Sequence, residues 1–105
     1  VRAVEYVRVH ACEGLSATDV VREMGMRTRT AENRFRAVAG RSIRDEIVAV
    51  RVAQAQKLLS DPTVAVNSVF SHCGYRDPRS LRYAFTKATG LSLRAWQQKA
   101  LRVCS

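Results

Sequence analysis

Apolar residues recur along this chain at intervals of three and four and nowhere in strict alternation, so the pattern predicts helices throughout and no strand. Val4, Val7 and Ala11 place a first helix over residues 1–11, which Gly14 ends. Ser16 is a good N-cap, and Asp19 follows three residues on, an acidic variant of the capping-box spacing. The second helix, over about 17–24, turns Val20, Val21 and Met24 inward, and Gly25 stops it. Thr28 is placed to cap a third helix over about 29–38, with Ala31, Phe35 and Val38 on its apolar stripe and Gly40 at its end. Ser42 opens the longest element, which reaches Asp61-Pro62; at 1.5 Å per residue its roughly 18 residues make a strut about 27 Å long. Ile43, Ile47, Val50, Ala53 (or Gln54), Lys57 and Leu58 form its seam. A helix over about 66–72 buries Val66, Val69 and Phe70 before Gly74 breaks it. Asp77 caps the next, over about 78–89, with Pro78 at the first helical position, where proline is tolerated. Its inward residues are Leu81, Phe85 and Ala88, and a last helix from Ser92 carries Leu93, Trp96 and Ala100 inward. The fold class is all-α, with about seven helices.

The chain repeats itself. Phe, Gly, Ser and Arg recur at a constant offset of 50, at 35/85, 40/90, 42/92 and 44/94, and Ile43 and Leu93 match at the same offset. Upstream, Val20 and Gly25 match Val69 and Gly74 at an offset of 49. A period of this size fixes architecture before any single element is assigned. It predicts a first unit over 1–41, a linker helix over 42–61 and a second unit over 62–105.

Charge follows the repeat. The 105 residues carry 18 Lys+Arg against 9 Asp+Glu, a net +9. Residues 1–24 sum to −1, 25–44 to +5, 45–61 to −1 and 62–105 to +6. Positive charge gathered on two units is the footprint of a polyanion partner. The three cysteines, Cys12, Cys73 and Cys104, are an odd number without a CxxC pair, so neither a disulfide framework nor a metal site is expected. Reduced thiols suit a cytoplasmic protein. No apolar run is long enough for a membrane span and no signal peptide is visible. The chain begins at Val1 and not at methionine, which points to a domain cut from something longer. Two histidines, no nucleophile–base pair and no phosphate loop argue against an enzyme, and no cofactor is expected.

A short helix, a glycine turn and a second helix with a polar outward stripe is a helix-turn-helix, whose second helix can enter the major groove. Arg29, Glu32, Asn33 and Arg36 share one such stripe, and Arg79, Arg82, Tyr83 and Thr86 share the other. Arginine can bond bidentately to guanine, asparagine to adenine, and glutamate can accept from cytosine. Glu32 could instead offset Arg29 or Arg36 on its own helix, and Tyr83 could pack on the strut. Hydroxyls and backbone N–H groups at helix starts (Ser16, Thr28, Ser42, Ser92) and flanking charges (Arg36, Arg41, Arg44, Lys87, Arg94) are placed for phosphates. Successive major grooves on one face of B-DNA lie about 34 Å apart, a distance the strut and half a unit at each end can bridge.

These residues carry a family resemblance over about residues 1–98. Cys73-Gly74-Tyr75, Leu81, Phe85, Lys87, Thr89-Gly90, Leu91-Ser92 and Arg94-Ala95-Trp96 resemble the DNA-binding domain of the AraC/XylS family of bacterial transcription regulators. Arg51-Val52-Ala53-Gln54-Ala55-Gln56-Lys57-Leu58-Leu59 resembles that family's linker helix. Thr30-Ala31-Glu32-Asn33-Arg34-Phe35-Arg36, Gly40-Arg41-Ser42 and Asp45-Glu46-Ile47 are similar to its xylose-operon regulator branch. The resemblance implies base contacts at Arg29, Glu32, Asn33, Arg79, Arg82 and Tyr83. It implies a cytoplasmic activator that binds double-stranded DNA and RNA polymerase, with an N-terminal effector-binding domain in the parent protein. Val21 and Phe70 stand where the family has a small residue, which predicts an altered crossing with the following helix. The other class open to the sequence is a non-catalytic basic helical module for RNA, an anionic surface or a partner protein. Such a module would bind without sequence preference and does not need the glycine turn twice.

Overall fold

Seven α-helices and no strand make up the described part of the chain, which in this computed structural model is the backbone of residues 2–104 and the side chains of residues 3–102. Expectations for Val1 and the Cys104 thiol lie outside it. The order is α1 (Arg2–His10), α2 (Ala17–Met24), α3 (Thr28–Ala39), α4 (Ile43–Leu59), α5 (Val69–His72), α6 (Pro78–Thr89) and α7 (Leu93–Cys104). A 3-10 turn, Ala11–Glu13, follows α1, and another, Val66–Ser68, precedes α5. The helix expected over 66–72 is therefore split, with Phe70 half-buried against the core beneath it.

The repeat is structural as well as textual. Gly40 and Gly90 close α3 and α6 at φ 79° and 77°, and each donates its N–H back to the preceding turn, to Arg36 (2.8 Å) and Thr86 (2.7 Å). The Ser42 and Ser92 hydroxyls then accept the N–H of Asp45 and Ala95, both at 3.1 Å. Phe35 and Phe85 are buried, as are Ile43 and Leu93. The start of α4 thus packs on the first unit as α7 packs on the second. Phe85 meets Trp96 edge-on at 6.1 Å.

Two hydrophobic cores result. One gathers Val7, Ala11, Leu15, Val20, Phe35, Ile43 and Ile47; the other gathers Val52, Ala55, Leu59, Val69, Cys73, Leu81, Phe85 and Leu93. Helix α4 supplies both, from different faces. At about 100° per residue, Ile43 and Ile47 point roughly opposite to Val52, Ala55 and Leu59. This overturns the expected single seam, whose Ala53 and Lys57 prove exposed, while Glu46, outside that seam, proves buried. A helix packed from both sides reads as apolar all round, so periodicity shows no one stripe. Val38 and Ala88 are also exposed, against expectation, because the cores reach only the Ala31–Phe35 and Leu81–Phe85 side of their helices.

Candidate nucleic-acid interface

The expected recognition stripes lie opposite those buried pairs. Arg29, Asn33 and Arg36 on α3 are exposed, as are Arg79, Arg82 and Tyr83 on α6. Tyr83 is 71% exposed, so it does not pack on α4; the Lys87 ammonium lies 5.9 Å from its ring centroid. Glu32 is half-buried. Its carboxylate accepts the Ile43 N–H at 3.5 Å, at the positive end of α4, and pairs with neither Arg29 nor Arg36.

Charge on these faces is not neutralised from within. Arg29, Arg36, Arg44, Arg79, Arg82 and Arg94 are exposed and make no ion pair or side-chain hydrogen bond among the described residues. Two other arginines are ion-paired. Arg22 lies 3.8 Å from Asp19, and the Arg41 Nε sits 2.9 Å from the Glu46 carboxylate.

The expected phosphate ligands divide into groups. Ser16, Arg44 and Lys87 come together with Tyr83 around one groove between the two units, floored by Ile47 and Val48 of α4. Asp45 is the only acid on its lining. Arg41 lies elsewhere, beside α1 with Glu5 and Arg8. Thr28 does not cap α3. The N-cap is Arg27, whose carbonyl accepts the Ala31 N–H at 2.9 Å, so Thr28 is already the first helical residue. At Ser16 the capping box is complete, with Ser16 N–H to Asp19 at 3.0 Å and Asp19 N–H to the Ser16 hydroxyl at 3.2 Å. The Ser16 backbone and hydroxyl bonds hold the Asp19 carboxyl below its ordinary pKa. That backbone N–H is thus spent, and only the hydroxyl hydrogen of Ser16 is left for a ligand.

Sequence reasoning missed Arg51, which is half-buried in the wall of the same groove and ties the units together. Its Nε–H donates to the Ala11 carbonyl and its Nη2–H to the Leu15 carbonyl, both at 2.7 Å, and its guanidinium carbon lies 4.8 Å from the Tyr75 ring centroid. The signal was present as a cation amid the apolar positions of α4. The Tyr75 hydroxyl is buried without a well-formed hydrogen bond; burial raises its pKa, and the adjacent Arg51 opposes that shift.

Two helix-turn-helix units with outward cationic stripes, carried on one helix, define a bipartite helix-turn-helix domain. The family described as "Helix-turn-helix domain" matches residues 20–99. The chain belongs to it and is an AraC/XylS-type DNA-binding domain, a non-enzymatic class. It is 31% identical over 88 residues to the xylose operon regulatory protein of Escherichia coli K12, covering 84% of this chain and 22% of that protein. It is also 31% identical over 65 residues to the transcriptional activator RhaR of Cronobacter sakazakii, covering 62% of this chain and 23% of that protein. The chain therefore spans less than a quarter of the length of these relatives. Among solved structures, the DNA-binding domain of AdpA, in complex with a target DNA, superposes with a TM-score of 0.86 at 30% identity, covering 93% of this chain and 88% of that one. The xylose-binding transcription activator xylR superposes with a TM-score of 0.75 at 28% identity, covering 93% of this chain and 26% of that one.

Proposed function

We propose that the domain reads double-stranded DNA through α3 and α6 in successive major grooves, with units 1–41 and 62–105 on either side of the linker 42–61. The observation that carries this reading is the pair of equivalent helices, each exposing unpaired arginines opposite a buried pair, on one continuous α4. Helix α4 spans 17 residues, about 26 Å, within a molecule 47 Å long, a size suited to grooves about 34 Å apart. Arg29, Glu32 and Asn33 contact bases in one groove, and Arg79, Arg82 and Tyr83 in the other. Glu32 does so while holding the start of α4. A backbone segment between the grooves seats against Ser16, Arg44 and Lys87. Thr28, Arg36, Arg94 and the outer edge of Arg41 meet flanking phosphates.

The relatives are named as an operon regulatory protein and transcriptional activators. We extend the proposal accordingly: the domain works in the bacterial cytoplasm, beside an N-terminal effector-binding domain, and brings RNA polymerase to the promoter.

The test is selection from a random-duplex library, then anisotropy on the winning duplex and a scramble across salt. The expected result is a consensus in two blocks about one helical turn apart, with steep salt dependence on both duplexes and far tighter binding to the winner. Equal binding to both duplexes would leave a basic module without sequence preference.

A further inference from the structure

Each core packs on its own half of α4, and no buried residue belongs to both. The angle between α3 and α6 therefore depends on α4 and on whatever bridges the units beside it. One bridge is built around Arg51. It donates to the Ala11 and Leu15 carbonyls of the first unit and lies against the Tyr75 ring of the second. Gly74, next to Tyr75, presses on the same turn. A Cβ there would sit 2.6 Å from the Ala11 oxygen and 2.9 Å from the Cys12 Cα. The Ala11 carbonyl is thus gripped by the middle of α4 on one side and by the second unit on the other. The guanidinium suits this task because its donors leave as a rigid planar fork while its face stacks on an aromatic ring. With Nε and Nη2 turned into the protein, Arg51 holds the units instead of reaching for a phosphate.

We infer that Arg51 is a positioning residue that fixes the half-site spacing the domain accepts, without touching DNA; the inference rests on the two-groove reading above. The lever is long. A tilt of about 10° on an arm of about 17 Å, half the separation of successive grooves, moves a recognition helix about 3 Å, close to one base-pair step. A rigid knot restricts the domain to one spacing. A loosened knot lets α3 and α6 settle on neighbouring spacings while each still reads its own half-site.

The experiment uses the two-block duplex selected by the wild-type domain, with one or two base pairs added or removed between blocks, and a duplex keeping one block only. Arg51→Met keeps the stem and removes the donors. Wild type should lose about tenfold in affinity for a one-base-pair change. Arg51→Met should lose less than about threefold, with single-block affinity within about twofold of wild type. Simple destabilisation would lower affinity on every duplex alike and leave the spacing profile unchanged. A folded Arg51→Met domain with the wild-type profile overturns the inference, as does a wild-type domain that reads two blocks but tolerates every spacing; neither touches the DNA reading. A wild-type domain that selects no blocks overturns the DNA reading and this inference with it. Where circular dichroism shows Arg51→Met unfolded, Tyr75→Leu carries the test, and a sharp wild-type profile in that variant overturns the inference equally.

Discussion

The Arg41 guanidinium lies 2.9 Å from the carboxylate of Glu46, a side chain only 6% exposed, while Arg41 itself remains half in solvent. The pair is asymmetric. Glu46 would be left buried and unpaired without Arg41, whereas Arg41 without Glu46 would simply hydrate. Arg41→Ala should therefore cost about 1–3 kcal/mol of stability and Glu46→Gln less than about 1 kcal/mol. Urea denaturation of both variants checks the order, and equal losses would count against it.

Base and phosphate contacts should separate by their sequence dependence. Arg82→Ala should weaken specific binding by about 1–3 kcal/mol and relax preference at one base pair. Lys87→Ala should weaken all duplexes alike and reduce the salt slope by about one. A selected consensus unchanged in Arg82→Ala would remove that residue from the reading helix.

Gly74 and Gly40 both have positive φ, 91° and 79°, but only Gly74 faces another backbone. Gly40→Ala should cost about 1–2 kcal/mol, the left-handed penalty of an L side chain. Gly74→Ala must also move the Ala11–Cys12 turn and should cost more than about 2 kcal/mol. Thermal melts of the two variants compare them directly; similar losses would mean the turn yields freely.

Burial pushes the Cys73 thiol up to about 12, and it raises the Cys12 thiol and Tyr75 hydroxyl as well. The folded state thus holds protons that the unfolded chain releases. This stability is complete below the ordinary thiol value of 9.0 and is lost as pH rises through about 12. The melting temperature should fall between those limits, and less steeply in Cys73→Ala. Iodoacetamide at pH 8.5 should leave Cys73 unmodified in the folded domain, measured by mass spectrometry in a Cys104→Ser background.

Helix number, the paired stripes and the turns were legible because they rest on local rules. Ser16, Asp77 and Pro78 mark helix starts by their own chemistry, and the structure begins α2 and α6 where they predict. The offset of 50 located Phe35 and Phe85 as matching core residues before any contact was known. Thr28 misled because a threonine at a helix start caps only from a non-helical backbone, and Arg27 holds that conformation.

By itself, then, the sequence determined two similar helical units, their basic outward faces and the family to which they belong. Periodicity, capping and charge are properties of neighbours along the chain. Only the tertiary structure decided that α4 serves two cores from opposite faces, that Glu32 turns to Ile43 and that Arg41 answers a buried Glu46. It also decided that Arg51 reaches 40 residues back to Ala11 while Gly74 closes on the same turn. The Arg51 and Glu32 contacts end on a backbone carbonyl or N–H, groups that nearly every residue carries alike, so no pattern of side chains announces them.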